Sequence, residues 1–380
     1  MSNPNVDKGA GKVASAGSKV VAAVAAPVRR QLIVGGAAAL AAPAVFAQAT
    51  EAKNRELFLN RSPERDAILL EGARKEGKLN LYTSLNTKDS GPITEAFEKA
   101  TGVKVLLWRA SSEKVLQRAV TEARAGRFAC DVLETNGPEM EAMYREKLLA
   151  EFYSPHFKDL APAAFPKHRH YVADRFNFFT IGYNTNLIKP ADVPNSYEDL
   201  LHPRFAGKLG VESGDTDWFA AMVKHMGEQK GLAFFRKLAE TQPQVRSGHT
   251  LMAELVSSGE VPIAVSIYNH NMERLAVRGA PVKWKALSPT FGRPNAVGVV
   301  PRAPNPHAAL LFADFMLSRP GQQLIRERNR APSNLSVETP LNKFPFEMID
   351  PIISLDENDK WEKLYADLFL KGQKVQRGSE

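Results

Sequence analysis

Polar side chains suited to gripping a small molecule recur in this chain wherever an apolar run ends in a turn. Ser84 and Asn86 follow the run 79–83, Arg109, Ser111 and Ser112 follow 103–108, and Thr135 and Asn136 follow 130–134. Later come Ser213-Gly214-Asp215-Thr216-Asp217-Trp218, Ser247-Gly248-His249 and Tyr268-Asn269-His270. Hydroxyls, amides, carboxylates and imidazoles in such turns hold and orient a solute through hydrogen bonds and charge. Each also has a plainer use. Ser111, Ser112, Thr216 and Asp217 are good helix N-caps, Asn86 and Asn136 can close turns, and Trp218 suits a core. Tyr268 and His270, set together just beyond an apolar strand, favour ligand contact. The sequence holds no Gly-x-Ser-x-Gly elbow, His-Glu-x-x-His pair, Walker loop or Gly-x-Gly-x-x-Gly turn after a strand. His168-Arg169-His170 reads as a solvated loop and Cys130 as an inert core thiol. No catalytic residue, metal site or cofactor is expected.

These turns need elements to carry them. Strands are predicted at 79–83, 103–108 and 130–134, and helices at 93–101, 112–125 and 138–147. Strand and helix alternating at this spacing imply βαβ units around a parallel sheet, and the apolar run 103–108 reads as a strand covered on both faces. A long strand at 176–184 is a natural crossover. Beyond it a second alternating region has strands at 209–212 and 262–267, with helices from Thr216, Gly231 and His249 and over 269–277. A strand at 282–287 is expected to return to the first region, which 295–300 and a helix at 306–317 complete. A last helix, 361–370, straps the two. The fold class is therefore α/β: two Rossmann-like lobes joined by a hinge, the second inserted in the first. Lobe 1 is expected at 50–175 and 288–335, lobe 2 at 176–287, and the strap at 336–380. Ligands in such sheets bind outside the carboxyl ends of the strands.

Composition narrows the function classes. The 380 residues carry a formal charge of +8 and one cysteine, which excludes an intramolecular disulfide and a cysteine cage for zinc. Arg29-Arg30, an apolar run at 33–46 and small residues at Ala47 and Ala49 form the three parts of an export signal of the twin-arginine type. Fourteen apolar residues are too few to span a bilayer. Cleavage near 47–49 removes five bases and one acid, leaving a net charge of +4 with no basic cluster, so no nucleic-acid partner is expected.

The chain resembles a known family. Phe97-Glu98-Lys99-Ala100-Thr101-Gly102-Val103-Lys104-Val105 is similar to an F-x-x-x-T-G-I-x-V segment of periplasmic solute-binding proteins of bacterial ABC importers. Ala129 to Leu133, Ser196 to Leu209 and Phe315 to Gln323 resemble three more of their segments, in the same order. The resemblance implies a type II periplasmic binding protein of extracellular solute-binding family 1. It would be a monomer in the periplasm, delivering a small solute to a permease and ATPase complex at the inner membrane. It is nearest the iron(III)-binding branch, whose tandem tyrosines are replaced here by Asn269-His270 with a single Tyr268 one place early; Asn86 and Asn136 stand at two other ligand positions of that branch. The expected ligand is an organic solute bearing an amine and a carboxylate. Glu212, Asp215 and Asp217, at a helix start whose positive end they neutralise, would face Arg109 across a cleft. Ferric iron or a metal complex is the alternative, and a secreted enzyme or a sensor subunit on the same scaffold comes after it. The ligand-binding set is Ser84, Asn86, Arg109, Ser111, Asn136, Asp215, Thr216, Asp217, Trp218, His249, Tyr268 and His270.

Overall fold

The computed structural model describes residues 42–371 and 376–377. Most of the expected export segment, including Arg29 and Arg30, lies outside the described residues. The sheets, cores and site below belong to one compact unit, residues 46–380. Helix α1 (Ala42–Phe58) contains the expected cleavage region. Its residues 48–53 are exposed, whereas Asn54 and Phe58 are buried. The Asn54 amide donates to the carbonyls of Pro301 at 3.1 Å and Ala303 at 3.2 Å.

Alternation then proceeds through α2 (Arg65–Glu76), β1 (Lys78–Thr83), α3 (Thr87–Thr101), β2 (Lys104–Arg109), α4 (Ser112–Arg124), β3 (Val132–Asn136) and α5 (Gly137–Arg145). Gly77 and Gly102 end α2 and α3 at φ 74° and 80°, a left-handed stop that glycine enters without a Cβ clash. β1 lies between β2 and β3, parallel to both. β2 is an edge strand, and the run read as covered on both faces leaves Leu106 47% exposed.

β4 (Val172–Asn184) joins the two lobes. Its residues 172–178 pair with β9 (Phe291–Val299), which also pairs with β3, while residues 179–184 pair with β7 (Ile263–Tyr268) and β8 (Val282–Lys285). Alternation of side chains across a strand puts neighbours on opposite faces, and here Phe178 enters the first core while Phe179 enters the second.

The second lobe runs β5 (Leu209–Glu212), α6 (Thr216–Met226), α7 (Glu228–Glu240), β6 (Gln244–Ser247), α8 (His249–Ser258), β7, α9 (Asn269–Val277) and β8. β8 stays in this lobe beside β4, so the return to the first lobe is made by β9 and not by the predicted strand at 282–287. One face of the sheet packs Trp218, Phe219 and Phe235, from α6 and α7, and the other packs Met252, Val256 and Met272, from α8 and α9. The first lobe is completed by α10 (Pro306–Leu317), α11 (Arg319–Glu327) and β10 (Ala331–Pro332). In the tail, β11 (Glu347–Met348) pairs with β9 and β12 (Gln376–Arg377) pairs with β6. Between them α12 (Pro351–Asp356) packs on α5 of one lobe and α13 (Asn358–Tyr365) on α6 of the other. The strand order is β12-β6-β5-β7-β4-β9-β3-β1-β2.

Candidate functional site

β5 and β7 both end in residues that converge. Glu212 closes β5 and its carboxylate is tied down by two backbone N–H groups, Gly214 at 2.6 Å and Gly248 at 2.7 Å. Gly248 sits at φ 98°, a conformation that aims its N–H back at Glu212 and starts α8 at His249. Asp215, the N-cap residue of α6, is 1% exposed, and its Oδ1 lies 3.0 Å from His249 Nε2. Neither Asp215 oxygen receives an aligned hydrogen bond. Glu212, Asp215 and His249 each offer a ligand atom within 4.8 Å of the others. Tyr268 ends β7, and the His249 ring stacks on it at 3.8 Å between centroids. His270, in the first turn of α9, also stacks on Tyr268, at 5.4 Å.

An arginine completes this half of the site. Arg293 on β9 donates from Nε to Asp217 Oδ2 at 2.6 Å, from Nη2 to Asp217 Oδ1, and from Nη1 to the Tyr268 phenol oxygen. A two-pronged Arg–carboxylate bond of this kind fixes both partners. Burial and the neighbouring Asp215 hold Glu212 above the usual carboxylate range. Burial works against a charged His249, yet Asp215 outweighs it and raises the imidazole. Burial drives the Tyr268 phenol well up, opposed by Arg293.

Around His270 the charge is of the other sign. Burial, then Arg330 and Arg274, push its imidazole well below its ordinary value, and its Nδ1 has no partner. Arg330 donates from Nε and Nη2 to Asp89 Oδ2 at 2.9 and 2.7 Å. Arg175 bonds Glu134 Oε1 at 2.5 Å, Asp174 Oδ1 at 2.8 Å and Asn295 Oδ1 at 2.7 Å.

The residues expected from sequence fall into two groups. Asp215, Asp217, His249, Tyr268 and His270 come together as described, with Thr216 half-buried beside them at the start of α6. Three of the others meet protein partners. Asn86 caps α3, accepting from the Asp89 N–H at 3.1 Å; Ser84 accepts from Thr135 Oγ1 at 2.9 Å; Asn136 donates to Ser112 Oγ at 2.8 Å. Ser111 holds the N-cap position of α4 without a side-chain bond. Trp218 is fully buried against Phe235 and is core. Arg109 ends the edge strand and forms no ion pair with the three acids among the described residues; the guanidinium that meets Asp217 is Arg293. His168 is no solvated loop histidine: it bonds Glu141 at 3.0 Å and stacks on Tyr144 at 3.6 Å. Cys130 is buried, and burial raises its thiol.

Sequence reasoning missed Arg293, Arg330, Arg274 and Arg175. A signal existed for two of them. Asp174-Arg175 is the only charged pair inside β4, and Arg293 is the only charge in β9.

The family model for bacterial extracellular solute-binding proteins matches residues 135–351, more than half of the chain. The chain belongs to this family. Its members capture solutes outside the cytoplasm, and the periplasmic location fits. Among curated relatives, iron uptake protein A1 of Synechocystis sp. is 26% identical over 301 residues, 73% of this chain and 81% of that protein. The Fe(3+)-binding periplasmic protein of Serratia marcescens is 23% identical over 246 residues, 62% of this chain and 72% of that protein. Iron-bound HitA from Pseudomonas aeruginosa shares the fold at a TM-score of 0.66 and 20% identity, covering 77% of this chain and 99% of that one. That structure and this family member share the type II periplasmic binding protein fold, as the sequence motifs implied.

Proposed function

We propose that this solute-binding protein is the cargo-capturing component of an ABC importer, that its cargo is centred on a cation, iron(III) first, and that it transforms nothing. The observation that carries the reading is Asp215, a buried carboxylate whose oxygens receive no aligned donor, beside Glu212 and His249 within 4.8 Å. Burying two carboxylates, Glu212 and Asp215, against a single imidazole is costly. A hard cation offsets that cost through carboxylate and phenolate oxygens, with imidazole as a further donor. Glu212, Asp215, His249 and the Tyr268 phenol are the donors at hand. The names of the two relatives support iron as the cargo. The lobes would close on it by bending at β4, the strand shared between their sheets, and at the entry to β9.

An ammonium group would be accepted by the same acids, which supports the second reading, an organic solute carrying an amine and a carboxylate. Titration of the metal-stripped protein with iron(III) and with an amine-bearing solute panel separates the two. We expect iron(III) to raise Tm saturably and to produce a phenolate-to-iron absorption band that Tyr268→Phe removes. A Tm shift with an amine solute and none with any ferric salt would replace the iron reading with the second.

A further inference from the structure

The tail meets both lobes, and it does so unevenly. Ile349, just before α12, is buried in the second core, and so are Trp361 and Tyr365 of α13, just after it. Between these anchors α12 has no buried residue, and it lies on α5 of the first lobe. A helix this short is not stable by itself, so its place depends on what holds it. Its last residue, Asp356, accepts from both terminal nitrogens of Arg145 on α5, from Nη1 at Oδ1 and from Nη2 at Oδ2, the latter at 3.2 Å. Arg145 Nε donates in turn to Glu141 at 3.1 Å, and Glu141 Oε2 accepts from the Tyr171 hydroxyl at 3.3 Å, one residue before β4. Glu357, next in the chain, faces the other lobe, accepting from Lys224 of α6 at 2.6 Å and from Trp361 Nε1 at 2.9 Å. Two neighbouring acids are thus each tied to a different lobe. At the start of α12, Gly137 of α5 leaves room for Pro351, whose ring would lie 3.0 Å from a Cβ at that position.

We propose that α12 is an interlobe clip, a segment rooted in the second lobe whose Asp356 fastens it to Arg145 of the first, restraining the angle between the lobes and slowing release of the cargo. A two-pronged guanidinium–carboxylate bond fixes direction as well as distance. Both side chains stay partly in solvent, so the tie is modest and screened by salt, as a contact must be if the lobes are to part. Buried aromatics hold α13 while an exposed ion pair holds α12, so α12 leaves α5 before α13 leaves α6. The same arrangement of the lobes brings Arg293 onto Asp217 and Tyr268; loosening the clip therefore loosens the site. The effect on release rests on the proposed cargo reading, whereas the restraint on the lobes does not.

The test is the distance between the lobes in the metal-free full-length protein, read by pulsed electron paramagnetic resonance. Spin labels go on Lys114→Cys of α4 and Lys237→Cys of α7, both exposed, while the native Cys130 is buried. Asp356→Asn should broaden the distance distribution, and high salt should do the same to the wild type. Asp356→Glu, which keeps the charge, should restore the narrow distribution. Glu228→Gln, which breaks an exposed pair with Lys360 inside the second lobe, should leave it unchanged. Iron(III) should leave Asp356→Asn about threefold faster than the wild type, the size of effect an exposed ion pair commands. Identical distributions in the wild type and Asp356→Asn, unmoved by salt, overturn the clip. An altered distribution with an unaltered release rate overturns its part in holding cargo. Failure of iron(III) to bind the wild type removes the iron cargo alone, because the label distances still decide the clip.

Discussion

At the residue scale the decisive feature is buried charge in the wrong amount for a resting protein. Asp215 is held in the interior beside a second carboxylate, Glu212, with one off-axis histidine to answer both, an arrangement that binding favours and folding does not. Asp215→Asn should therefore stabilise the empty protein, by about 1–3 kcal/mol, while weakening capture of the cation. Urea melts of both proteins with and without iron(III) test this, and a less stable empty variant would show that Asp215 serves the fold instead. Trp218 is the contrasting case. Because it sits wholly in the second core against Phe235 and Phe219, Trp218→Ala should cost about 3–5 kcal/mol. A folded Trp218→Ala protein in mild conditions should keep the cargo-dependent gain in Tm; loss of that gain with stability intact would return Trp218 to the site.

At the element scale, positions are set by ties between elements that are remote in sequence. Tyr365 on α13 donates its hydroxyl to the Glu212 carbonyl at the end of β5, so the tail holds the strand that presents the acids. Tyr365→Phe leaves that buried carbonyl without its donor, at about 1–3 kcal/mol, and cargo affinity should fall with it, measured by the same titration. The Asp89–Arg330 pair ties the start of α3 to the segment before β10. Burial works to raise the Asp89 carboxyl, but Arg330 overcomes it and the net value lies below the usual 3.8. A depressed carboxyl binds its proton more weakly folded than unfolded, so the pair stabilises the protein above the unfolded value and is lost as pH falls through the lower folded one. Acid unfolding should accordingly come at higher pH in Asp89→Asn, and its slope with pH should flatten below about 4.

At the scale of the whole molecule, one strand serves two sheets. β4 hands its pairing from β9 to β7 between Phe178 and Phe179, and Arg293 on β9 reaches Asp217 and Tyr268 in the second lobe. Bending of β4 and β9 would move the acids and the arginines relative to each other. Cargo binding should then reduce the radius of gyration in small-angle scattering; an unchanged radius with saturated cargo would rule out lobe closure. Export with cleavage near 47–49 predicts a mature N-terminus that leaves Asn54 and Phe58 in place, which mass spectrometry of the secreted protein reads directly.

Much of this was legible in the residues alone. Strand–helix alternation, the crossover strand and the helices at 269–277 and 306–317 follow from apolar periodicity and local caps, because short-range sterics and burial patterns are written into consecutive residues. So was half of the candidate site: Asp215, Asp217, His249, Tyr268 and His270 stand at strand ends or in the helix turns that follow them, where the open-sheet rule looks for a ligand. Even the family could be read from short motifs in order. What the sequence could not supply was the partner of each charge. Arg293 answers Asp217 from 76 residues away and Arg330 answers Asp89 from 241, because the partner of a buried charge is fixed by which strands lie side by side. The same limit hid that β8 stays paired with β4 in the second lobe and that β2 forms an edge of its sheet. Local chemistry determined which groups could bind; only the assembled sheets decided which charges remained unanswered.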